Sequence, residues 1–474
     1  MKLKQLQKKY PEFVYRSFRY KLENGNVAAS FEFKIPPDLK FKPQIIFKNV
    51  SQQQIKKIGE PQIKNLIFHL GLAEIPTYWK ATCSPEIIIK AGYLDDAQIK
   101  FWQDLFINGM GQFFYENKLP FIKPVFDVQC AKPKEIPLIL SKFQNRYLVP
   151  LGGGKDSLVT LELLKTKGKV VTFTLNPNIA VKKLLQATGT PNIEIERVID
   201  SALLRLPAQG FFNGHTPFSS VLAFIGVAVA ALFGCRYIAI SQERSSNQGN
   251  VKYLGKTINH QYSKTFDFEN KFRAYCEKYL AKNIEHFSFL RPLYELQIAE
   301  IFSRYPRYFP YFLSCNKPFT VAARRAGKIG WCGNCPKCLF TYAALYPFIG
   351  KAGTIKIFGK NLFEDKQLLS IMIELLGQGI CKPFECVGTF NEARAAFYLS
   401  LERAKKEDNN NLPALLEIFQ MEYLPEYKTI KNDAKKILAS WNNHNNLPKN
   451  LALFLKKQLI TKKDKYLTQS GHRW

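Results

Sequence analysis

Three groups of residues in this sequence have the types and spacing that chemistry needs. The stretch "YLVPLGGGKDSLVTLEL", residues 147–163, sets Gly152, Gly153, Gly154, Lys155, Asp156 and Ser157 between an apolar run and a helical pattern. A loop that follows a strand and opens a helix turns its amide N–H groups and the positive helix end toward one point, which makes an anion site by backbone physics alone. The glycines let oxygen atoms come close, and Lys155 can neutralise phosphate charge. Neither common phosphate loop is present. Val149 and Asp156 stand where a Walker loop needs a glycine and a Ser or Thr, and Ser157 stands where the dinucleotide pattern needs its last glycine.

The second group is made of thiols. Cys315 is followed by Cys332, Cys335 and Cys338 in "WCGNCPKC". Four thiolates are what a tetrahedral zinc site takes, and the Gly and Pro between them favour turns that aim the sulfurs inward. A second reading stays open, because two thiols on either side of a carbon can remove and return its proton. The third group has two parts. His215 precedes Thr216 and Pro217, which read as the N-cap and first position of a helix. The segment "TINHQYSKTFDFE" packs His260, Tyr262 and Lys264 into five residues, a density suited to substrate binding or proton transfer.

The elements that must hold these groups alternate. Strands are expected at 147–151, 170–175, 193–199 and 237–241, with helices from 157, around 181–187 and over 217–232. Such alternation implies an α/β fold, a doubly wound parallel sheet with ligands outside the carboxyl ends of its strands. Thr174 and Asn176 end the second of these strands, and Ser241, Glu243 and Arg244 follow the fourth; all could contact a nucleoside or its phosphates. Residues 1–140 read as an N-terminal α+β domain, 141–350 as the nucleotide-type domain with the cysteines, and 351–474 as a mainly helical region ending in a basic, mobile tail from 456. Helices are expected over 96–117 and 391–406.

The chain has 474 residues, 46% of them hydrophobic, and a net charge of +30. That charge favours an anionic partner without choosing among nucleic acid, membrane surface and a phosphorylated small molecule. No apolar run follows the N-terminal lysines, and the longest apolar run, 221–234, falls short of the roughly 20 residues that cross a bilayer. With ten cysteines and no export signal, the chain reads as cytoplasmic, its cysteines for metal or chemistry rather than disulfides.

The glycine loop resembles the PP-loop, S-G-G-x-D-S, of the ATP pyrophosphatase superfamily, with Gly152 in place of the usual serine and one hydroxyl contact fewer. Taken in order, "YLVPLGGGKDS", "NGHTPFSS", "ERSSNQGNV", "NHQYSKTFDFE", "RPLYELQIAEIF", "SCNKPF", "WCGNCPKCLF" and "KPFECVG" resemble the MurL family of UDP-N-acetyl-α-D-muramoyl-L-alanyl-L-glutamate epimerases, over most of 70–400. The resemblance implies an ATP- and magnesium-dependent enzyme of peptidoglycan precursor synthesis. Such an enzyme inverts the terminal L-Glu of a UDP-linked muramoyl dipeptide through an acyl adenylate and releases AMP and diphosphate. On that reading residues 152–157 hold phosphates and Asp156 or Glu243 helps magnesium. Arg244, Lys264 and Arg291 hold substrate carboxylate or diphosphate, and His215, His260 and Tyr262 transfer protons if the cysteines hold a structural zinc. An alternative resemblance, to the 7-cyano-7-deazaguanine synthases, joins a PP-loop to zinc cysteines and implies nucleobase or tRNA modification. It fits the charge, but that family is about half this length. A nucleic-acid partner is therefore not the expectation.

Overall fold

In the computed structural model, residues 2–315, 330–407 and 411–460 are described. Six strands come from the first third of the chain: β1 (Glu12–Glu23), β2 (Asn26–Ile35), β3 (Leu39–Phe41), β4 (Gln44–Phe47), β5 (Glu86–Ile89) and β6 (Val125–Val128). Seven follow: β7 (Gln144–Pro150), β8 (Lys169–Leu175), β9 (Asn192–Val198), β10 (Cys235–Ile240), β11 (Val251–Tyr253), β12 (Lys256–Ile258) and β13 (Glu285–Ser288). Eleven of the strands form one sheet, in the order β13-β10-β7-β8-β9-β4-β2-β1-β5-β6 with β3 beside β2, while β11 and β12 make a separate hairpin.

The half from β13 to β9 is entirely parallel. Both faces of a parallel sheet are covered by helices, so its strands must be apolar on both sides. β7 shows this. Leu148 joins one core, with α1 (Glu60–Trp79), α4 (Phe218–Phe233) and α5 (Phe266–Tyr279), whereas Tyr147 and Val149 join the other. The second core is made with α3 (Lys155–Lys165), α6 (Glu295–Phe302), α7 (Pro336–Phe358) and α8 (Phe390–Glu407). This is the doubly wound α/β arrangement, and the C-terminal third is mainly helical. The sheet does not stop at residue 140: β4 pairs antiparallel with β9, Gln44 opposite Val198 and Phe47 opposite Ile195, so the N-terminal strands extend it. A buried Glu74 carboxylate takes two hydrogen bonds from Arg197 at 2.6 and 2.7 Å, fastening α1 to the end of β9.

The apolar run 221–234 forms α4, closed by Gly234 in the left-handed region at φ 71°. No helix among the described residues is long and apolar enough to cross a membrane. Two local expectations shift. Pro217, with ψ 65°, is the N-cap of α4 in place of Thr216, so the helix begins at Phe218. The helix expected over 96–117 breaks at Met110 (φ −94°, ψ 9°) into α2 (Asp96–Gly109) and a short turn of helix, Gly111–Glu116. Of the basic tail, residues 456–460 end a helix, Lys449–Ile460; its remainder lies outside the described residues.

Candidate active site

From β7 the chain moves outward to β8 and β9, then crosses back to β10 and β13 on the other side of β7. The order therefore reverses between β7 and β10, the switch point where open α/β sheets bind ligands. The glycine loop leaves the carboxyl end of β7 there. Gly153 has φ +99°, a conformation that an L side chain rarely adopts, and its carbonyl accepts a hydrogen bond from the Leu313 amide at 2.8 Å. Gly154 caps α3, and Ser157 Oγ donates to the Gly154 carbonyl at 3.0 Å. A Cβ on Gly152 would meet nothing within 4 Å, so the serine's absence here is not forced by packing.

Three neighbouring strands each deliver a carboxylate to this point. Asp156 follows β7, Glu243 follows β10, and Glu295 begins α6 after β13; carboxylate oxygens of all three lie within 4.8 Å of one another. Lys155 Nζ, buried, bridges Asp156 and Glu295. Burial, then Glu295, pushes Glu243 up to about 7. The same two causes raise Asp156, against Lys155 and Lys337. Burial would raise Glu295 too, but Lys155 and Lys337 outweigh it and hold this carboxyl low. Burial alone would lower Lys155; the two acids reverse that and keep it charged. Clustered oxygen ligands of this kind could hold Mg²⁺, a hard cation that favours carboxylates and phosphate oxygens.

The four cysteines Cys315, Cys332, Cys335 and Cys338 bring their sulfurs within 4.8 Å of one another, with separations of 3.9 Å for Cys315–Cys335 and 3.5 Å for Cys332–Cys338 and Cys335–Cys338. A tetrahedron with Zn–S bonds of 2.3 Å has edges of about 3.8 Å, so the set fits zinc. Crowded thiols keep their protons. The hydrogen bond with Cys315 is the main cause that pushes Cys335 up to about 12, and Cys338 is raised further; a dication at the centre is what would release those protons. The cluster also builds the site. Leu313, just before Cys315, holds the glycine loop, and Lys337, between Cys335 and Cys338, is buried and donates to the Cys386 carbonyl.

His215 and His260 pack against each other with ring centroids 4.7 Å apart and planes tilted by 51°. His260 Nδ1 meets Gln112 Oε1 at 2.5 Å, and buried His215 Nδ1 has no partner among the described residues. Burial is the main cause that lowers both to about 3, helped by His260 and Lys80 at His215 and by Lys264 at His260; both are neutral near pH 7. Lys264 Nζ lies 3.0 Å from Cys386 Sγ. Burial opposes its charge, but Cys386 and Glu243 raise it.

Other expected residues are committed elsewhere. The Tyr262 hydroxyl donates to Asp104 and joins Asp267 and Lys271, a cluster on the side of α2. Thr174 Oγ1 accepts from Asn192 at 3.0 Å, and Asn176 exchanges two hydrogen bonds with the Arg197 backbone. Arg244 lies over the Tyr294 ring, 4.4 Å from its centroid. Arg291, fully buried, directs its guanidinium to Glu269, the Glu243 and Lys264 carbonyls, Ser246 and Gln242. Glu295, Lys337, Lys382 and Cys386 also belong to the site, and none of them stands out in the sequence. Each sits in a segment with a visible pattern, "RPLYEL", "CPKC" or "CKPFEC", but none is the residue that such a pattern makes conspicuous.

Comparison with known proteins gives a family. The profile described as the MurL N-terminal domain matches residues 4–289, and that described as the MurL C-terminal domain matches 311–428. A protein of Xanthomonas oryzae pv. oryzae named UDP-N-acetyl-alpha-D-muramoyl-L-alanyl-L-glutamate epimerase is 36% identical over 335 residues, 70% of this chain and 74% of its own. Proteins of the same name from Salinispora tropica and a Micromonospora species are each 33% identical, over 72% of this chain and 74% and 76% of theirs. No solved structure matches the chain.

Proposed function

The chain belongs to the MurL epimerase family, and we propose that it inverts the terminal L-glutamate of UDP-N-acetylmuramoyl-L-alanyl-L-glutamate by first adenylating that glutamate's carboxylate with ATP. The observation that carries the adenylation step is the meeting, at the sheet's switch point, of the glycine loop with Asp156, Glu243 and Glu295. A carboxylate resists loss of its α proton because a second negative charge would build on the same group. Joined to AMP it becomes an acyl phosphate, which accepts that charge.

In this reading the amides of residues 152–157 and the start of α3 bind the diphosphate part of ATP, and Lys155 faces its charge. A magnesium ion held by Asp156, Glu243 and Glu295 would neutralise phosphate charge as the α phosphate is transferred. Lys264, Lys337 and Lys382 turn cationic groups toward the acids of the site, where a dicarboxylate substrate also needs them. Zinc in the four-thiol cluster would be structural: it would fix Leu313 against the glycine loop and Lys337 in the site. Water then hydrolyses the adenylate, which explains why ATP is used in a near-neutral inversion.

The test supplies purified protein with the UDP-linked L-Ala-L-Glu substrate, ATP and magnesium. The D-Glu isomer should form together with AMP and diphosphate. Isomer without AMP would remove the adenylation step, and no isomer from folded protein would remove the activity.

A further inference from the structure

With the four clustered thiols assigned to zinc in the reading above, the proton-transfer role is left to be filled. Cys235 and Cys276 are core residues, pushed up by burial to about 11 and 12. Cys386 differs. Its Sγ accepts from Lys264 Nζ at 3.0 Å and its carbonyl from Lys337 Nζ. Four residues earlier, Lys382 is 1% exposed, and its ammonium forms no hydrogen bond or ion pair with a described residue. The loop carrying both is tied to the rest of the site by Asn250. The Asn250 side chain donates to the Lys382 and Pro383 carbonyls at 3.3 and 2.8 Å and accepts from the His260 amide at 2.8 Å. A thiol under a lysine and an ammonium with no partner among the described residues are therefore tied to the histidine pair and lie close enough to feel the charge of Glu243 and Glu295.

We propose that Cys386 is the catalytic base that takes the Cα proton of the activated glutamate, and that Lys382 is the acid that returns a proton to the opposite face. The assignment rests on the adenylation reading above. The charged groups that face Cys386 are Lys264, Lys337, Lys382, Glu243 and Glu295. Burial and Glu295 oppose ionisation, but Lys264 and Lys337 prevail and hold the thiol below its ordinary range. Burial is the main cause that lowers Lys382, which makes it the better proton donor. In the step, the Cα–H bond breaks, its proton goes to Sγ, and its electron pair enters the acyl group as an enolate. The ammonium then protonates the other face of Cα and becomes a neutral amine, and exchange with water resets both groups.

The experiment runs the full chain in deuterated water with the UDP-linked L-Ala-L-Glu substrate, ATP and magnesium, reading AMP, D isomer and deuterium at the glutamate Cα. Wild type should give D isomer carrying deuterium. Cys386→Ala should lose deuterium incorporation and D isomer by about 100- to 10,000-fold while AMP is still released. Lys382→Met should let deuterium enter recovered L isomer while D isomer falls. Deuterium incorporation that persists in Cys386→Ala, or falls only in step with AMP release, overturns the assignment. Wild type that makes deuterated D isomer without AMP would instead overturn adenylation, and the deuterium readout would still judge Cys386. A second measurement needs no variant at Cys386. Iodoacetamide labelling of the wild-type chain across pH, read by peptide mass, should show Cys386 reacting as a thiolate below the range of an ordinary thiol and protected by substrate with ATP. Lys264→Met should move that midpoint up by about one unit or more. An ordinary midpoint, or no protection, refutes the proposal.

Discussion

Replacing Arg291 with methionine separates a substrate-binding arginine from an internal tie, because the two roles predict different losses. The Arg291 and Glu269 side chains are both 0% exposed and 3.1 Å apart. Nε, Nη1 and Nη2 together make six hydrogen bonds of 2.6–3.3 Å, to Glu269, the Glu243 carbonyl, Ser246, Gln242 and the Lys264 carbonyl. With the guanidinium so occupied, a substrate phosphate would have to break internal bonds to reach it. Removing one partner of a buried pair costs about 3–5 kcal/mol, because the other charge stays buried without compensation. Among the described residues Glu269 then keeps only the Ser288 amide at 3.1 Å and the Asn446 amide group at 3.0 Å. At the low end of the shift per kcal/mol expected for a long chain, this lowers the unfolding midpoint by roughly 6–10 °C. Thermal unfolding of Arg291→Met followed by circular dichroism measures it. Adding Glu269→Gln removes the stranded charge, so the double variant should be more stable than the two single losses predict, by about 1–3 kcal/mol. Because Glu243 and Lys264 lose a backbone anchor, kcat should fall too. An Arg291→Met protein that unfolds within about 0.5 kcal/mol of wild type, with only KM for the UDP-linked substrate raised, would refute the reasoning.

Glu295→Gln takes one carboxylate from the group of three and one partner from Lys155, so AMP release should fall by at least the roughly 10- to 100-fold typical of losing even an outer partner of a metal site. An unchanged magnesium dependence of AMP release would exclude Glu295 from that group. Cys335→Ser, at the centre of the thiol cluster, should lower zinc content by elemental analysis and, through Leu313 and Lys337, weaken AMP release; retained stoichiometric zinc would remove Cys335 from the ligand set. His286 on β13 has two buried ring nitrogens without partners among the described residues, and burial, then Arg273 and Arg291, lowers it to about 3. Since its folded value lies below the unfolded 6.5, the native state loses stability as pH falls from 6.5 toward 3, by roughly 2 kcal/mol at pH 5. His286→Leu should therefore raise the urea midpoint more at pH 5 than at pH 7.5, and an equal change at both would contradict the assignment.

What could be read from the sequence was whatever the local backbone decides. Strands expected at 147–151 and 170–175 are observed at Gln144–Pro150 and Lys169–Leu175, since continuous apolar runs bounded by glycine or proline have few other homes. The glycine loop and the cysteine spacing place their own atoms, because turn geometry and side chain lie in the same few residues. The joining of β4 to β9 was not legible: it pairs residues about 150 positions apart, and nothing in "PQIIFKNV" names its neighbour. The same limit governs the site. Arg291 and Tyr262 are the kinds of residue that bind and catalyse, yet the fold gives the one to Glu269 and the other to Asp104. Glu295, Lys337 and Cys386 look like an ordinary helix start, a zinc-knuckle spacer and a loop cysteine until three strand ends and the thiol cluster bring them together. Residue type states what a group can do; only the partner that folding assigns decides whether it remains available for a substrate.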